Sequence, residues 1–136
     1  MNFHANYLAT AIGSFPHQDP NAACRIILEN LPEIPVCPQL PRLGFLENMY
    51  VQYSEGLPCV NVDIENKKIF FDTSKDMDTE LERFYEKYLS NNISTFEISK
   101  KYSAGFYAMM EILKKEVSPS VRFIKGQITG PISFGL

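Results

Sequence analysis

The sequence predicts an α/β fold in which about three parallel strands, with flanking helices and an inserted β-hairpin, form part of a (β/α) barrel. Segments with strand character alternate with segments of helical periodicity, which is typical of a parallel sheet with right-handed crossovers. The first and last strands each carry polar residues on one face and end in a turn that contains glycine. Strands in an ordinary doubly wound sheet are apolar on both faces, so a polar face favours the inside of a barrel, close to its mouth.

The stretch TAIGSFPHQD joins the first strand, residues 8–14, to the first helix, residues 21–30. The strand alternates between two faces and stops at a Gly-Ser pair. Asp19 is a suitable N-cap, and Pro20 suits the first position of a helix. Because ligands bind where parallel strands turn into helices, this turn is a candidate binding site.

A second extended segment and a hairpin follow. Residues 34–39 contain Pro35 and Pro38, which make them a poor interior strand along their whole length. The alternating stretches CVNVDI and KKIFFD flank Glu65-Asn66, a plausible turn. Together they predict a β-hairpin.

Two amphipathic helices and a last strand complete the chain. One helix begins near Asp76 or Asp78, and the other covers about residues 100–116. Their stripes of Tyr, Phe and Met are interpreted as core. In the last strand, VRFIKGQITGP, Ile124 and Ile128 point one way. The opposite, polar face carries Lys125, Gln127 and Thr129.

Composition and charge exclude several classes of protein. The chain has 136 residues, of which 45% are hydrophobic and 21% charged, and its formal net charge is −3. These values are typical of one globular domain and argue against a nucleic-acid partner. No apolar run approaches the ~20 residues that span a bilayer, and the first residues lack the pattern of a signal peptide. The three cysteines are odd in number and widely spaced, which predicts reduced thiols in a cytoplasmic protein.

Three stretches resemble one protein family. IGSFP, after the first strand, resembles the start of the catalytic domain of cobalamin-independent methionine synthase. KGQITGPISFGL resembles the strand of that family that carries a Thr-Gly-Pro turn, and PQLPRLGFLENMYVQYSEGLP is similar to short relatives of the synthase. The family shares a barrel superfamily with uroporphyrinogen decarboxylase. The resemblance implies a TIM-type barrel, and transfer of a methyl group from a donor to a thiol through a bound zinc.

Two departures limit what the resemblance implies. The zinc ligands of the family, a His-x-Cys pair, an acidic residue and a late Cys, lie in the second half of its barrel, and neither His4 nor His17 precedes a cysteine by two residues. We therefore expect no metal ligand in this chain and zinc only in the complete enzyme. Residues 1–136 are interpreted as the N-terminal portion of a methionine synthase-like (β/α)8 barrel, truncated. The turn also has Pro16-His17 where the synthases have Pro-Gln, so their exact substrate is not carried over.

Five residues are candidates for substrate binding, at the mouth of the predicted barrel: Ser14, His17, Gln39, Glu47 and Thr129. The resemblance matches Ser14 to the serine that contacts the amino-acid substrate, and His17 is a candidate proton donor or base. Gln39 and Glu47 would reach the mouth from the second loop. Each candidate has a structural alternative: a serine that satisfies its own turn, a histidine that caps a loop, a solvated loop for Gln39 and Glu47, and a threonine that holds the Gly-Pro turn.

The barrel interpretation also fixes the expected positions of other residues. The first and last strands should run parallel, with Ile12 and Gln127 on the interior side. Cys37 and Cys59 are interpreted as free buried thiols and not as metal ligands. No residue of the chain is expected to be catalytic.

Two classes of function remain open. The first is a fragment of a methionine synthase-like methyltransferase, inactive alone, whose complete protein takes a thiol or an amino acid. A uroporphyrinogen decarboxylase-like fragment is the alternative enzyme, although that family's arginine-rich signature is missing because Arg25 and Arg42 are isolated. The second class is a non-catalytic binding or assembly module. Because a cut barrel leaves strand edges unpaired, we expect a homo-oligomer or association with the missing half of the barrel, and no membrane partner.

Overall fold

The computed structural model describes residue 4, residues 6–115 and residues 118–135. The helices of this part of the chain are Pro20–Asn30 (α1), Met49–Gln52 (α2), Met77–Leu89 (α3), Ala104–Lys115 (α4) and Pro131–Gly135 (α5). The strands are Val60–Asp63 (β1) and Lys68–Phe71 (β2), and turns of 3-10 helix cover Phe45–Glu47 and Ile93–Phe96. No helix in the described ranges has the length and apolarity needed to cross a membrane.

The parallel strands of a barrel are not formed, so the prediction of a partial TIM-type barrel is wrong. The sheet found in the described residues is the antiparallel pair β1–β2, and it is not closed. The three segments expected as parallel strands lie side by side in extended form. The described residues of these segments share two isolated parallel bridges, Ser14–Gln39 and Val36–Lys125.

The physical reason lies in the middle segment. In a regular strand, backbone groups two residues apart face the same neighbour. Here the Cys37 N–H donates to the Lys125 carbonyl at 2.9 Å, whereas the Gln39 N–H donates to the Gly13 carbonyl at 2.7 Å, on the other side. The chain therefore changes sides across Pro38, which has no N–H of its own, and a continuous ladder cannot form.

The hairpin predicted from the alternating stretches is confirmed. β1 and β2 pair antiparallel over four residues each. The Asp63 carboxylate accepts hydrogen bonds from the Asn66 backbone N–H at 2.9 Å and from its side-chain amide at 2.7 Å. These bonds hold the turn in place, and they lower the pKa of Asp63.

The first helix is also confirmed. The Asp19 carboxylate accepts a hydrogen bond from the Asn21 N–H at 2.9 Å, and Pro20 occupies the first turn of α1. The buried face of α1 carries Ala23, Cys24 and Ile27. This face packs against α4 and the middle extended segment, and the contact between them forms the core.

Gly105, in the first turn of α4, sets how closely that helix approaches the middle segment. A Cβ atom at this position would lie 2.1 Å from the Pro38 carbonyl oxygen, which no side chain tolerates. The Gly105 carbonyl also lies 3.8 Å from the Cys24 Sγ on α1. The core prediction holds for α4, where Met109 and Leu113 are buried.

Two predictions of burial are wrong. On α3, Tyr85 and Tyr88 are 57% and 66% exposed, and no described side chain of that helix is buried. α3 lies outside the core and meets the second 3-10 turn through Phe84, whose ring centroid is 5.2 Å from that of Phe96. Ile12, expected in the barrel interior, is 74% exposed, because without a closed sheet there is no interior to receive it.

Candidate functional site

A cavity of about 150 Å³ lies where the extended segments meet α2 and α4. Its polar lining comes from Gln39, Gln52, Tyr53, Ser103 and Gln127. None of the described residues that line it carries a charged side chain. A cavity of about 150 Å³ can hold a molecule of the size of benzene, so this one has room for a small ligand.

Gln39 is held rigidly at the cavity wall. Its backbone N–H donates to the Gly13 carbonyl, and its carbonyl accepts from the Phe15 N–H at 2.9 Å. The residue is 5% exposed, and its amide Nε2 donates to the Gln52 Oε1 at 2.9 Å. The amide oxygen, Oε1, is buried and has no hydrogen-bond partner. A buried carbonyl without a partner is costly, and a bound molecule that donates a hydrogen bond would remove this cost.

Glu47 lies behind the cavity wall and joins three parts of the chain. It is 3% exposed, and its Oε1 accepts from the Ala104 N–H, in the first turn of α4, at 2.5 Å. Its Oε2 accepts from the Leu40 N–H at 3.3 Å and from the Gln52 Nε2 at 3.2 Å. Burial raises the pKa of Glu47, and these three hydrogen bonds to the carboxylate partly oppose that rise.

Tyr53 and Cys37 are the titratable groups of the described lining, and both are neutral near pH 7. The Tyr53 hydroxyl donates to the Gln127 carbonyl and so ties the last extended segment to the end of α2. Burial raises the pKa of Tyr53 and also that of the Cys37 thiol. The cavity therefore presents dipoles and not charges to a ligand.

Gly13 brings the first motif close to the cavity. Its φ of +130° is a conformation that other residues rarely adopt, and a Cβ there would lie 3.2 Å from the Gln127 Oε1. Lys125, from the polar face of the last segment, donates to the Ala11 carbonyl at 2.6 Å. The first and last segments are thus joined across the middle one.

Of the five predicted site residues, two lie at or behind the wall of the cavity, and the other three are not part of its described lining. Gln39 lines the cavity, and Glu47 is hydrogen-bonded to a residue that lines it. Ser14 is exposed, and His17 is half-buried with an Nδ1 that has no partner and a ring 6.2 Å from that of Phe15. Neither Ser14 nor His17 belongs to the described lining of the cavity. The Thr129 hydroxyl donates to the Met49 carbonyl at 3.0 Å, where it fixes the last segment to α2.

The sequence interpretation missed three residues of the site. Gln52, Tyr53 and Ser103 line the cavity, but none was a candidate. Gln52 lies in the one-turn helix α2, within a segment that reads in the sequence as a long loop with one helical turn, and Ser103 is 51 residues away from it in sequence. Their one local signal is that polar residues stand next to apolar residues that become buried, and this pattern is too common to single them out.

The described residues do not fit the zinc site that the resemblance implies. They contain no group of three or more His, Cys, Asp or Glu side chains that could hold a metal ion. Cys24 and Cys37 interact in the core, and burial is the main reason that the pKa of Cys24 is raised to about 12. A thiol that holds its proton this strongly is a poor metal ligand.

A second cleft, of about 740 Å³, lies between the hairpin and α5. Its lining is mostly apolar and includes Tyr50, Phe70, Phe71 and Phe134. Ligand sites usually combine apolar walls with a few placed polar groups that fix orientation. The smaller cavity provides such groups and is the stronger candidate.

No protein-family model, no curated protein and no solved structure matches this chain. The likeness to the methionine synthases therefore stays a prediction that rests on the three motifs alone.

Proposed function

We propose that the cavity binds a small thiol or amino acid, and that the chain supplies substrate binding to a methionine synthase-like methyltransferase without catalysing methyl transfer by itself. The observation that carries this proposal is that two of the motif segments line one cavity and the third is hydrogen-bonded to a residue of its wall. Gln39 and Tyr53 of the middle motif and Gln127 of the last motif line it. Gly13 of the first motif is hydrogen-bonded to Gln39.

The chemistry of the wall supports a small polar ligand. The Gln39 Oε1 is an acceptor without a partner, and an ammonium, hydroxyl or thiol group can donate to it. Cys37 and Phe106 also line the cavity, and they suit a thioether or thiol sulfur, which makes favourable contacts with apolar and aromatic groups. The three cysteines are free, which supports placing the protein in the cytoplasm.

Calorimetric titration with L-homocysteine, the thiol whose methylation gives methionine, tests this proposal. We expect saturable binding to the wild-type chain and binding about tenfold weaker to Gln39→Leu, which keeps the approximate size of the side chain but removes the acceptor. Gln18→Leu is the matched control, because Gln18 is exposed and does not line the cavity. Absence of binding to the wild-type chain, or equal binding to Gln39→Leu, would overturn the proposal.

A further inference from the structure

Three buried side chains form a hydrogen-bonded series that ends at the cavity. The Glu47 Oε2 accepts from the Gln52 Nε2 at 3.2 Å, and the Gln52 Oε1 accepts from the Gln39 Nε2 at 2.9 Å. Their exposures are 3%, 1% and 5% in that order, so water does not compete for these bonds. The last atom of the series is the Gln39 Oε1, which has no partner.

The direction of this series follows from its first member. The two ends of a glutamine amide have nearly the same size, so its orientation is decided by the hydrogen bonds that each end can make. An ionised carboxylate only accepts, and Gln52 must therefore turn its NH2 group towards Glu47. This places the Gln52 Oε1 opposite Gln39, which in turn must use its own NH2 group. The side-chain carbonyl oxygen of Gln39 is then left without a hydrogen-bond partner.

We infer that Glu47, acting through Gln52, fixes the orientation of the Gln39 amide, so that the cavity presents an acceptor and selects ligands that donate a hydrogen bond. Glu47 is a positioning residue in this arrangement and does not touch the ligand. The inference rests on the proposed function, because it assigns the specificity of the same cavity.

Protonation of Glu47 reverses the series. When the Glu47 Oε2 takes up a proton from solvent, the carboxyl group can donate to the oxygen of a Gln52 amide that has turned over. The Ser103 hydroxyl, which lies 3.4 Å from the present position of the Gln52 Nε2, can donate to the same oxygen. Both amides can then turn over, and Gln39 presents NH2 in place of its carbonyl. The Glu47 carboxylate is faced by the Leu40 N–H, by Gln52 of α2 and by the Ala104 N–H of α4, none of them charged. The titratable side chains of the described cavity lining, Cys37 and Tyr53, stay protonated throughout.

Side-chain amide NMR of the full chain tests the orientation without any ligand. Between about pH 4 and 8, the Nε2 resonances of Gln52 and Gln39 should move with one midpoint, and this midpoint should equal that of the Glu47 carboxyl carbon. Gln18, exposed and outside the cavity, is the internal control. In Gln52→Leu, Glu47 should still titrate while the Gln39 resonance no longer follows it. A Gln39 resonance in the wild-type chain that does not titrate with Glu47 would overturn the inference.

Two probes of matched shape test the selectivity. Pyrrole carries an N–H donor, whereas furan has the same five-membered ring without one. At neutral pH the wild-type chain should bind pyrrole about two- to tenfold more tightly than furan, and this ratio should fall as Glu47 is protonated. Equal binding of both probes at neutral pH would overturn the selectivity. If neither probe nor L-homocysteine binds, the proposed function fails, and a shared titration of Gln39 and Glu47 would still support the control of the amide by Glu47.

Discussion

At the scale of single residues, Glu47 joins three parts of the chain at the site through a single buried carboxylate. Its carboxylate accepts hydrogen bonds from the backbone N–H groups of Leu40 and Ala104 and from the side-chain amide of Gln52. A buried charge is tolerated when it is hydrogen-bonded in this way, and removing its partners leaves it uncompensated. The carboxylate therefore holds the first turn of α4 against the segment that leads to α2.

The raised pKa of Glu47 predicts how the stability of the fold depends on pH. Because the folded-state pKa lies above the unfolded value, the folded state binds the proton more tightly, so this contribution to stability is present at low pH and is lost as the pH rises through the folded pKa. Urea unfolding at several values between about pH 4 and 8 measures it. Glu47→Gln should remove this part of the pH dependence and should lower stability at neutral pH, since an amide has one acceptor oxygen for three donors.

Glu82→Gln, at an exposed position of α3, is the control and should leave the pH profile unchanged. If the wild-type chain and Glu47→Gln have parallel profiles, the Glu47 carboxyl group is not buried as the structure describes it.

At the scale of elements, the close approach of α4 to the middle extended segment depends on Gly105. Replacing a glycine by alanine inside a helix normally stabilises it by about 1 kcal/mol. Here the new Cβ would lie 2.1 Å from the Pro38 carbonyl oxygen, so α4 must move away from that segment. We expect Gly105→Ala to destabilise the fold by about 1–3 kcal/mol, measured by urea unfolding.

Gly44→Ala provides the matched control, because a Cβ at Gly44 meets no atom within 4 Å. A Gly105→Ala variant as stable as the wild-type chain would mean that α4 does not pack on Pro38 as closely as described.

Local sequence signals predicted individual elements correctly, but they failed to predict how several segments pair with one another. The Asp19 cap and the alternation on both sides of the hairpin turn act within a few residues, and both were predicted correctly. The barrel required the middle segment to form a continuous ladder with both outer segments, but it forms one isolated bridge to each of them because the chain changes sides across Pro38. Of the site, Gln39 and Glu47 could be proposed from the sequence. Ser103 could not, because its place follows only from how α4 packs.

At the scale of the whole molecule, the last extended segment leaves an apolar outer edge. The Lys125 N–H donates to the Pro35 carbonyl at 2.9 Å, so the backbone groups of Ile124, which alternate with those of Lys125, face away from the middle segment. Ile124, Ile128 and Ile132 are 46%, 74% and 78% exposed. An extended edge flanked by exposed isoleucines is a site for pairing with another chain.

We expect a second copy of this chain to cover the edge. Antiparallel pairing around a two-fold axis at Gly126 would place Ile124 of each copy opposite Ile128 of the other, which forms two apolar cross-strand pairs. Light scattering at micromolar concentration should therefore give the mass of a dimer, and Ile128→Lys should shift it towards the monomer. Ile12→Lys is the control, since Ile12 is equally exposed but lies on the first segment. A wild-type chain that remains monomeric would contradict this expectation.

We propose that the polar cavity, and not the turn after the first segment, is the binding site. Titration of the isotope-labelled chain with L-homocysteine, followed by NMR chemical shifts, tests it most directly. We expect the largest changes at four residues that line the cavity: Gln39, Tyr53, Ser103 and Gln127. Changes centred on Ser14 and His17, with the cavity residues unaffected, would contradict it.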